Sequence, residues 1–330
     1  MLSTALLTLG HGTMRLPVPR SAGAGDSMWF SQGCSIGCEC DEENGFLRTF
    51  MPVDLCKSGA QPTLPEKYRT FADIMKGTPK FADFTEYRPW RSPGSAMPLD
   101  SCGLAGGSTK NNDVAGGRGK DTIVHKQGFN GTSLPPSAAP AKWVAGEAVE
   151  VSWEIAANHG GGYVYRLCPA TENLTEACFE KTVLPFASAN STLRWRNGKE
   201  ASFEAMRTSE GTYPKGSVWT RNPIPVCHDK QAGFKGKGCD KGPAFPPPPG
   251  CDETCWGYQP CFPGEFPTGC PNPAIKTIEI PQIVDKVLVP KELKPGKYVV
   301  GFRWDCEHTA QVWSQCGDVE IVAPEDMVEA

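Results

Sequence analysis

Long apolar runs and runs of like charge are both missing from this chain of 330 residues. No stretch approaches the roughly 20 consecutive apolar residues that a membrane-spanning helix needs. The 33 basic and 37 acidic residues are interspersed and give a formal net charge of −4, whereas a polyanion such as nucleic acid is bound by a basic patch. We therefore expect a chain that engages neither a membrane nor nucleic acid.

Histidine and helical periodicity are also scarce. Residues 65–75 form the segment that predicts a helix, because a proline stands near its start and Tyr68, Phe71 and Ile74 share one face. With five histidines in the whole chain, the search for a histidine metal ligand is narrow. They are His11, His125, His159, His228 and His308.

Cysteine, glycine and proline are abundant instead. The 15 cysteines are too many for a reducing compartment unless they bind metal or do redox chemistry. N-glycosylation sequons begin at Asn130, Asn173 and Asn190 and fit a secreted glycoprotein. With 36 Gly and 31 Pro the chain is rich in loops. We expect a soluble extracellular protein with several disulfides, in which one thiol is free or paired between chains because the cysteine count is odd.

Alternation of apolar and polar residues predicts strands. From Val149 to Ile155 the odd positions are apolar and the even positions polar, which is typical of a half-buried antiparallel strand. The pattern repeats from Tyr298 to Trp304 after a Pro-Gly turn, and another strand is predicted to begin at Val319. Short strands between Gly and Pro turns predict an all-β fold, an immunoglobulin-like or fibronectin-like antiparallel β-sandwich with long loops and a short helix.

Segment 227–270 differs in kind from the rest of the chain. It holds six cysteines and a run of four prolines, and we interpret it as a cysteine-rich insertion closed by disulfides. A zinc module is the alternative, since Cys251-x-x-x-Cys255 and the adjacent Cys227 and His228 offer ligands. Three aromatic residues of the insertion either stack on sugar rings or cover a small local core. These are Trp256, Tyr258 and Phe262.

The other cysteines form three groups. Their spacing in the sequence does not determine which cysteines pair as disulfides. Cys168 and Cys178 bracket a short loop, and Cys306 and Cys316 flank a predicted hairpin. The N-terminal group consists of Cys34, Cys38, Cys40, Cys56 and Cys102.

The beginning of the chain determines the chemistry that His11 can offer. We interpret residues 1–10 as the remnant of a secretory signal peptide, although the stretch lacks a basic n-region and is shorter than the roughly 15–30 residues of a usual signal. An ordinary cytosolic N-terminus and a truncated gene model are the alternatives. If residues 1–10 are removed, His11 presents both its α-amine and its ring nitrogen to a metal.

His159 lies in the sequence Asn-His-Gly-Gly-Gly-Tyr, directly after a predicted strand. Functional side chains are commonly mounted on loops at the ends of rigid elements, and the glycines allow the backbone a close approach to a flat surface. A lone histidine on a loop is more often simply exposed, so the residues alone leave both interpretations open.

Several segments together carry a family resemblance. They are His11-Gly12-x-Met14 with Pro17 and Arg20, residues 29–38, residues 158–163, Trp304-Asp305-Cys306 and residues 311–316. In combination they resemble the chitin-binding type-4 proteins of eukaryotic microbes, which are similar to lytic polysaccharide monooxygenases. The resemblance spans most of residues 11–323 and implies a single domain over 11–325, followed by a tail at 326–330.

The resemblance implies a copper site of the histidine-brace type. The positions that match its ligands are His11, through amine and ring, and His159, through its ring. Neutral nitrogen donors hold copper in both oxidation states and suit the open planar geometry that Cu(II) prefers. The family's activity is oxidative cleavage of glycosidic bonds in an insoluble β-linked polysaccharide, with O2 or H2O2 and an external electron donor. A monomer is expected.

Gln311 and Trp313 resemble the Gln-x-Tyr element of cellulose-active members. The resemblance implies that Gln311 lies beside the copper ligands and that Trp313, which has no phenol oxygen, shields the axial side. The alternatives are a surface amide for Gln311 and a core residue for Trp313. Glu307 and His308 are further candidates for the same face.

The sequence leaves the substrate and the reaction open. The type-4 resemblance favours chitin, and the Gln-x-aromatic element favours cellulose. A non-catalytic protein of the same fold that binds copper or polysaccharide is the alternative to the enzyme, and a disulfide-rich wall protein without metal is a third hypothesis.

Overall fold

A computed structural model describes residues 12–24, 29–32, 89–107, 121–122, 124–155, 158–225, 243, 245–252, 255, 281–307 and 311–323. The strands are β1 (Gly12–Leu16), β2 (Trp29–Gln32), β3 (Leu104–Ala105), β4 (Ala141–Val144), β5 (Ala148–Ile155), β6 (Gly162–Pro169), β7 (Asn190–Arg194), β8 (Glu200–Glu204), β9 (Arg207–Thr208), β10 (Trp219–Arg221), β11 (Gln282–Leu288), β12 (Gly296–Asp305) and β13 (Gln311–Val322). A short helix, α1 (Glu176–Phe179), begins after Thr175, whose side chain accepts a hydrogen bond from the backbone N–H of Cys178.

The described strands form two sheets. The smaller has the order β1-β5-β11-β7-β8, and the larger has the order β3-β2-β13-β12-β6-β10-β9, with β4 added beside β13. The all-β sandwich is confirmed. Its pairings are antiparallel except for β4, which runs parallel to the C-terminal half of β13. In the described part of the chain, no helix has the length and apolar character needed to cross a membrane.

The core between the sheets is rich in aromatic rings. The strand predicted from Val149 to Ile155 lies within β5, and Val151 and Trp153 are fully buried in the core, but Ser152 on the opposite face is fully buried too, so the half-buried prediction is wrong at this position. The ring of Trp153 lies 5.2 Å from that of Phe302 and 5.1 Å from that of Trp304, measured between centroids. Side chains of alternate residues point to the same face of a strand, so the even positions of β12 line this core.

The outer face of β12 is buried as well from Val299 to Asp305, and the half-buried prediction is wrong for this part of the strand. Residues 89–107 are attached to this face by hydrogen bonds from Gly94 N to Asp305 Oδ2 at 2.8 Å and from Arg303 Nη2 to the carbonyl of Ala96 at 2.7 Å, and Phe179 of α1 lies beside Gly301. Arg303 and Asp305 are both fully buried. Local alternation does not reveal a layer contributed by a distant part of the chain.

An ionic network occupies this outer layer. Glu176 from α1 accepts hydrogen bonds from Arg166 and from Arg303, the latter at 2.5 Å, and Arg303 Nε donates to Asp305 at 2.7 Å. Burial alone would raise the pKa of Glu176, but the two guanidinium groups outweigh it and lower that pKa to about 2. The carboxylate is therefore charged in the folded protein at neutral pH.

Three disulfides lie within the described residues. Cys168 pairs with Cys178 across the predicted loop, and Cys251 pairs with Cys255, so the zinc alternative is wrong for that pair. Cys316 pairs with Cys102, 214 residues away, which ties residues 89–107 to β13 and separates Cys102 from the N-terminal group. The predicted hairpin between β12 and β13 is present, but β13 begins at Gln311, well before the predicted start at Val319.

Several predictions lie outside the described residues. They concern the helix at 65–75, His11, His228, His308, Cys34, Cys38, Cys40, Cys56, Cys227, Cys239, Cys261, Cys270, Trp256, Tyr258 and Phe262.

Candidate functional site

His159 lies on the loop that connects β5 to β6 and is 2% exposed, so it is not a freely exposed loop histidine. The side chain of Asn158 holds this loop in place. Its Nδ2 donates to the carbonyls of Ile224 at 2.9 Å and Pro225 at 3.1 Å, and its Oδ1 accepts from the backbone N–H of Gly160 at 2.9 Å. The loop is therefore fixed against the segment that follows β10.

Two glycines of the loop have backbone conformations that other residues rarely adopt. The φ angles are +64° at Gly160 and +81° at Gly161. A Cβ atom on Gly160 would lie 2.3 Å from Oε1 of Glu307, and one on Gly161 would lie 1.9 Å from the carbonyl oxygen of Asp305. The glycines thus let the His159 loop pack directly on the end of β12.

Trp304 contacts both the His159 loop and the start of β1. Its Nε1 donates to the carbonyl of Gly160 at 2.6 Å, and its ring lies 6.1 Å from the ring of His159 at an interplanar angle of 21°. On β1, a Cβ atom on Gly12 would lie 2.6 Å from Cε3 of Trp304. The start of β1 and the His159 loop therefore meet on one indole, and His11 immediately precedes Gly12 in the sequence.

Gln311 and Trp313 lie at the start of β13, and Trp313 is next to the same indole. Trp313 is opposite Trp304 in the ladder, with 6.1 Å between their ring centroids. It is fully buried in the core, and its Nε1 donates to Oε1 of Gln311 at 3.1 Å. Gln311 is 1% exposed, so it is not a surface amide. The described residues of the predicted site thus gather at one end of the sandwich.

Glu307 also reaches this end, through contacts that involve Arg221. Its backbone N–H donates to the carbonyl of His159 at 3.1 Å. Its two carboxylate oxygens each lie 3.3 Å from Nη2 of Arg221, and both side chains are buried. The guanidinium of Arg221 lies 4.6 Å from the ring centre of Phe245. Sequence reasoning did not identify Arg221 or Phe245, and no local motif marks either residue.

The remaining described histidine, His125, lies on another loop and stacks on Phe129 with 4.3 Å between ring centroids. Within the described ranges, no group of three or more His, Cys, Asp or Glu residues is arranged to hold a metal ion.

No protein-family model matches the chain. Among solved structures, a chitin-binding domain from Burkholderia pseudomallei matches with a TM-score of 0.32 and 13% identity, over 94% of this chain and 99% of that one. A cellulose-active lytic polysaccharide monooxygenase in complex with copper matches with a TM-score of 0.30 and 10% identity, over 94% and 98%. A Bacillus amyloliquefaciens CBM33 protein with Cu(I) matches with a TM-score of 0.25 and 10% identity, over 60% of this chain and 64% of that one.

These matched proteins are of the kind that the sequence motifs resemble.

Proposed function

We propose that this chain is a secreted, copper-dependent lytic polysaccharide monooxygenase whose metal is held by His11 and His159. The observation that carries the proposal is the meeting of Gly12 and the His159 loop on Trp304. Consecutive Cα atoms are about 3.8 Å apart, so the Cα atom of His11 is bound to lie about that far from the Cα atom of Gly12. The chain order thus supports placing the two histidines at the same end of the sandwich.

The donors suit copper. Removal of residues 1–10 would give His11 an α-amine in addition to its ring, and His159 would complete a set of three neutral nitrogens. All three nitrogens must be unprotonated to bind copper, so copper binding should weaken in acid. Copper supplies the one-electron redox chemistry that O2 or H2O2 and an external reductant need for oxidative cleavage of a glycosidic bond.

The residues around this end have distinct roles in the proposal. Trp304 and Trp313 exclude water and keep the His159 loop rigid, since both indoles are fully buried. Trp313 offers no phenol oxygen and acts only as an apolar shield. Gln311, whose Oε1 accepts from Trp313, orients its amide beside the site. The substrate is an insoluble β-linked polysaccharide, chitin or cellulose, and the working unit is a monomer formed by residues 11–325.

The experiment begins with expression behind a secretion signal and N-terminal sequencing of the product. The protein is loaded with one equivalent of copper, and its Cu(II) spectrum is recorded by electron paramagnetic resonance. Chitin, cellulose and hemicellulose are then incubated with it, with and without ascorbate, and the soluble products are analysed by mass spectrometry. His159→Ala is the test variant and His125→Ala is its matched control, because His125 stacks on Phe129 in another loop.

We expect an N-terminal His-Gly, a mononuclear Cu(II) signal that His159→Ala abolishes and His125→Ala retains, and oxidised oligosaccharides only with ascorbate. Copper binding without oxidised products from any of the three polysaccharides would support the non-catalytic alternative. Absence of a mononuclear signal from correctly processed protein would overturn the copper site itself.

A further inference from the structure

Among the described residues of the cysteine-rich insertion, Phe245 and Gly250 contact the sandwich, and Cys251 and Cys255 join its core. Phe245 lies against Arg221 of β10, with 4.6 Å between the guanidinium carbon and the ring centre. Gly250 lies over Trp195, where a Cβ atom would be 3.1 Å from Cη2 of the indole, and Lys199 lies 4.9 Å from the centre of the same ring. The first contact borders the His159 loop, and the second lies on the smaller sheet.

At the first contact, Arg221 is held between an aromatic ring and a carboxylate. Its Nη2 lies 3.3 Å from both oxygens of Glu307, and the two side chains are 5% and 2% exposed. A cation over an aromatic face gains more when water is excluded, and a buried charge pair depends strongly on its geometry. Arg221 therefore contacts both the Phe245 ring and the Glu307 carboxylate.

Glu307 also contacts the His159 loop. Its backbone N–H donates to the carbonyl of His159 at 3.1 Å, and its carboxylate fills the space beside Gly160 that a side chain would occupy. The carbonyls of Ile224 and Pro225, which accept from the Asn158 amide, lie shortly before the insertion in the chain. Phe245 contacts Arg221 and reaches the His159 loop only through Arg221 and Glu307.

We propose that Arg221 is a positioning residue that couples the Phe245 ring, through Glu307, to the orientation of His159. The relevance of this coupling to copper rests on the proposed function, but the coupling itself is a property of the metal-free protein and is tested there.

The experiment measures backbone hydrogen exchange at Gly160 and Glu307 in the metal-free full-length protein. Phe245→Leu removes the aromatic face, whereas Phe245→Tyr keeps it. Arg221→Lys keeps the positive charge but loses the planar guanidinium that contacts both oxygens of Glu307. Lys199→Met is the matched control, since it removes the cation over Trp195 at the second contact. The Cu(II) spectrum of each variant by electron paramagnetic resonance is the second readout.

We expect Phe245→Leu and Arg221→Lys to speed exchange at both amides at least tenfold and to shift the Cu(II) parameters. Phe245→Tyr and Lys199→Met should behave as the wild type in both measurements. Wild-type exchange in Phe245→Leu would overturn the proposal, and so would equal acceleration in Lys199→Met, because that would show a general loosening of the insertion. If no variant and no wild-type protein binds copper, the proposed function fails, while the exchange data still decide the coupling.

Discussion

From Val299 to Asp305, β12 is buried on both faces, but the two faces meet different kinds of side chain. The inner face presents Phe302 and Trp304 to aromatic rings of the core, whereas the outer face presents Arg303 and Asp305 to a buried ionic network beneath residues 89–107. Apolar packing is non-directional and depends mainly on volume. Paired buried charges depend on every partner being present, because a lone buried charge is costly. The outer layer should therefore be the more sensitive of the two to pH and to the loss of a single partner.

The largest expected effect on stability comes from the Cys102–Cys316 disulfide, which links residues 89–107 to β13. Replacing both Cys102 and Cys316 with alanine should lower the free energy of unfolding by about 5 kcal/mol, because their link closes a loop of 214 residues. Replacing Cys168 and Cys178, which are 10 residues apart, should cost about 3 kcal/mol. Denaturant unfolding of both double variants measures the two losses. Equal losses would contradict the expectation that the disulfide closing the longer loop contributes more to stability.

The ionic network itself is tested by Glu176→Gln. The variant leaves Arg166 without its carboxylate partner, and we expect it to lose about 3–5 kcal/mol at pH 7. Glu172→Gln is the matched control, since Glu172 pairs with Lys181 at the surface, where such a pair contributes about 0–1 kcal/mol. Chemical denaturation at pH 7 gives both values.

The loss in Glu176→Gln should also depend on pH. The folded pKa of Glu176 is about 2, below the ordinary value of 4.5, so its stabilisation is fully present above about pH 4.5 and disappears as the pH falls toward 2. The difference between the wild type and Glu176→Gln should therefore narrow over that range. A difference that stays constant down to pH 2 would show that Glu176 contributes by packing and not by charge.

The smallest effect is expected on the inner face. Phe302→Leu should cost about 1.5 kcal/mol, because the neighbouring rings accommodate a similar apolar volume. This loss should be the same at pH 7 and pH 3, in contrast to that of Glu176→Gln. Urea unfolding at the two pH values checks it, and a strong pH dependence would remove the distinction between the faces.

The sequence predicts the elements whose signals are local. Alternation identifies β5 and β12, and the position of His159 directly after β5 places it on a loop at the end of a strand. The gathering of Gln311 and Trp313 with that loop follows from the hairpin that brings β13 back along β12.

Other features depend on residues that are distant in sequence and leave no local signal. The partner of Cys316 is 214 residues away, and nothing in the spacing of the cysteines selects it. Arg221 reads as an ordinary strand residue until the fold places it between Phe245 and Glu307. The contact between Gly12 and Trp304 joins the two sheets and exists only once they pack.

β13 has a consequence for the order in which this protein assembles during translation. The strand pairs with β12 along one side and with β2 and β4 along the other, so it is the shared neighbour of three strands. A ribosome delivers β2, β4 and β12 before it delivers β13. The larger sheet therefore cannot be completed until residue 322 has been synthesised. Until then the emerging chain holds strands with unsatisfied edges, which is the state that chaperones protect.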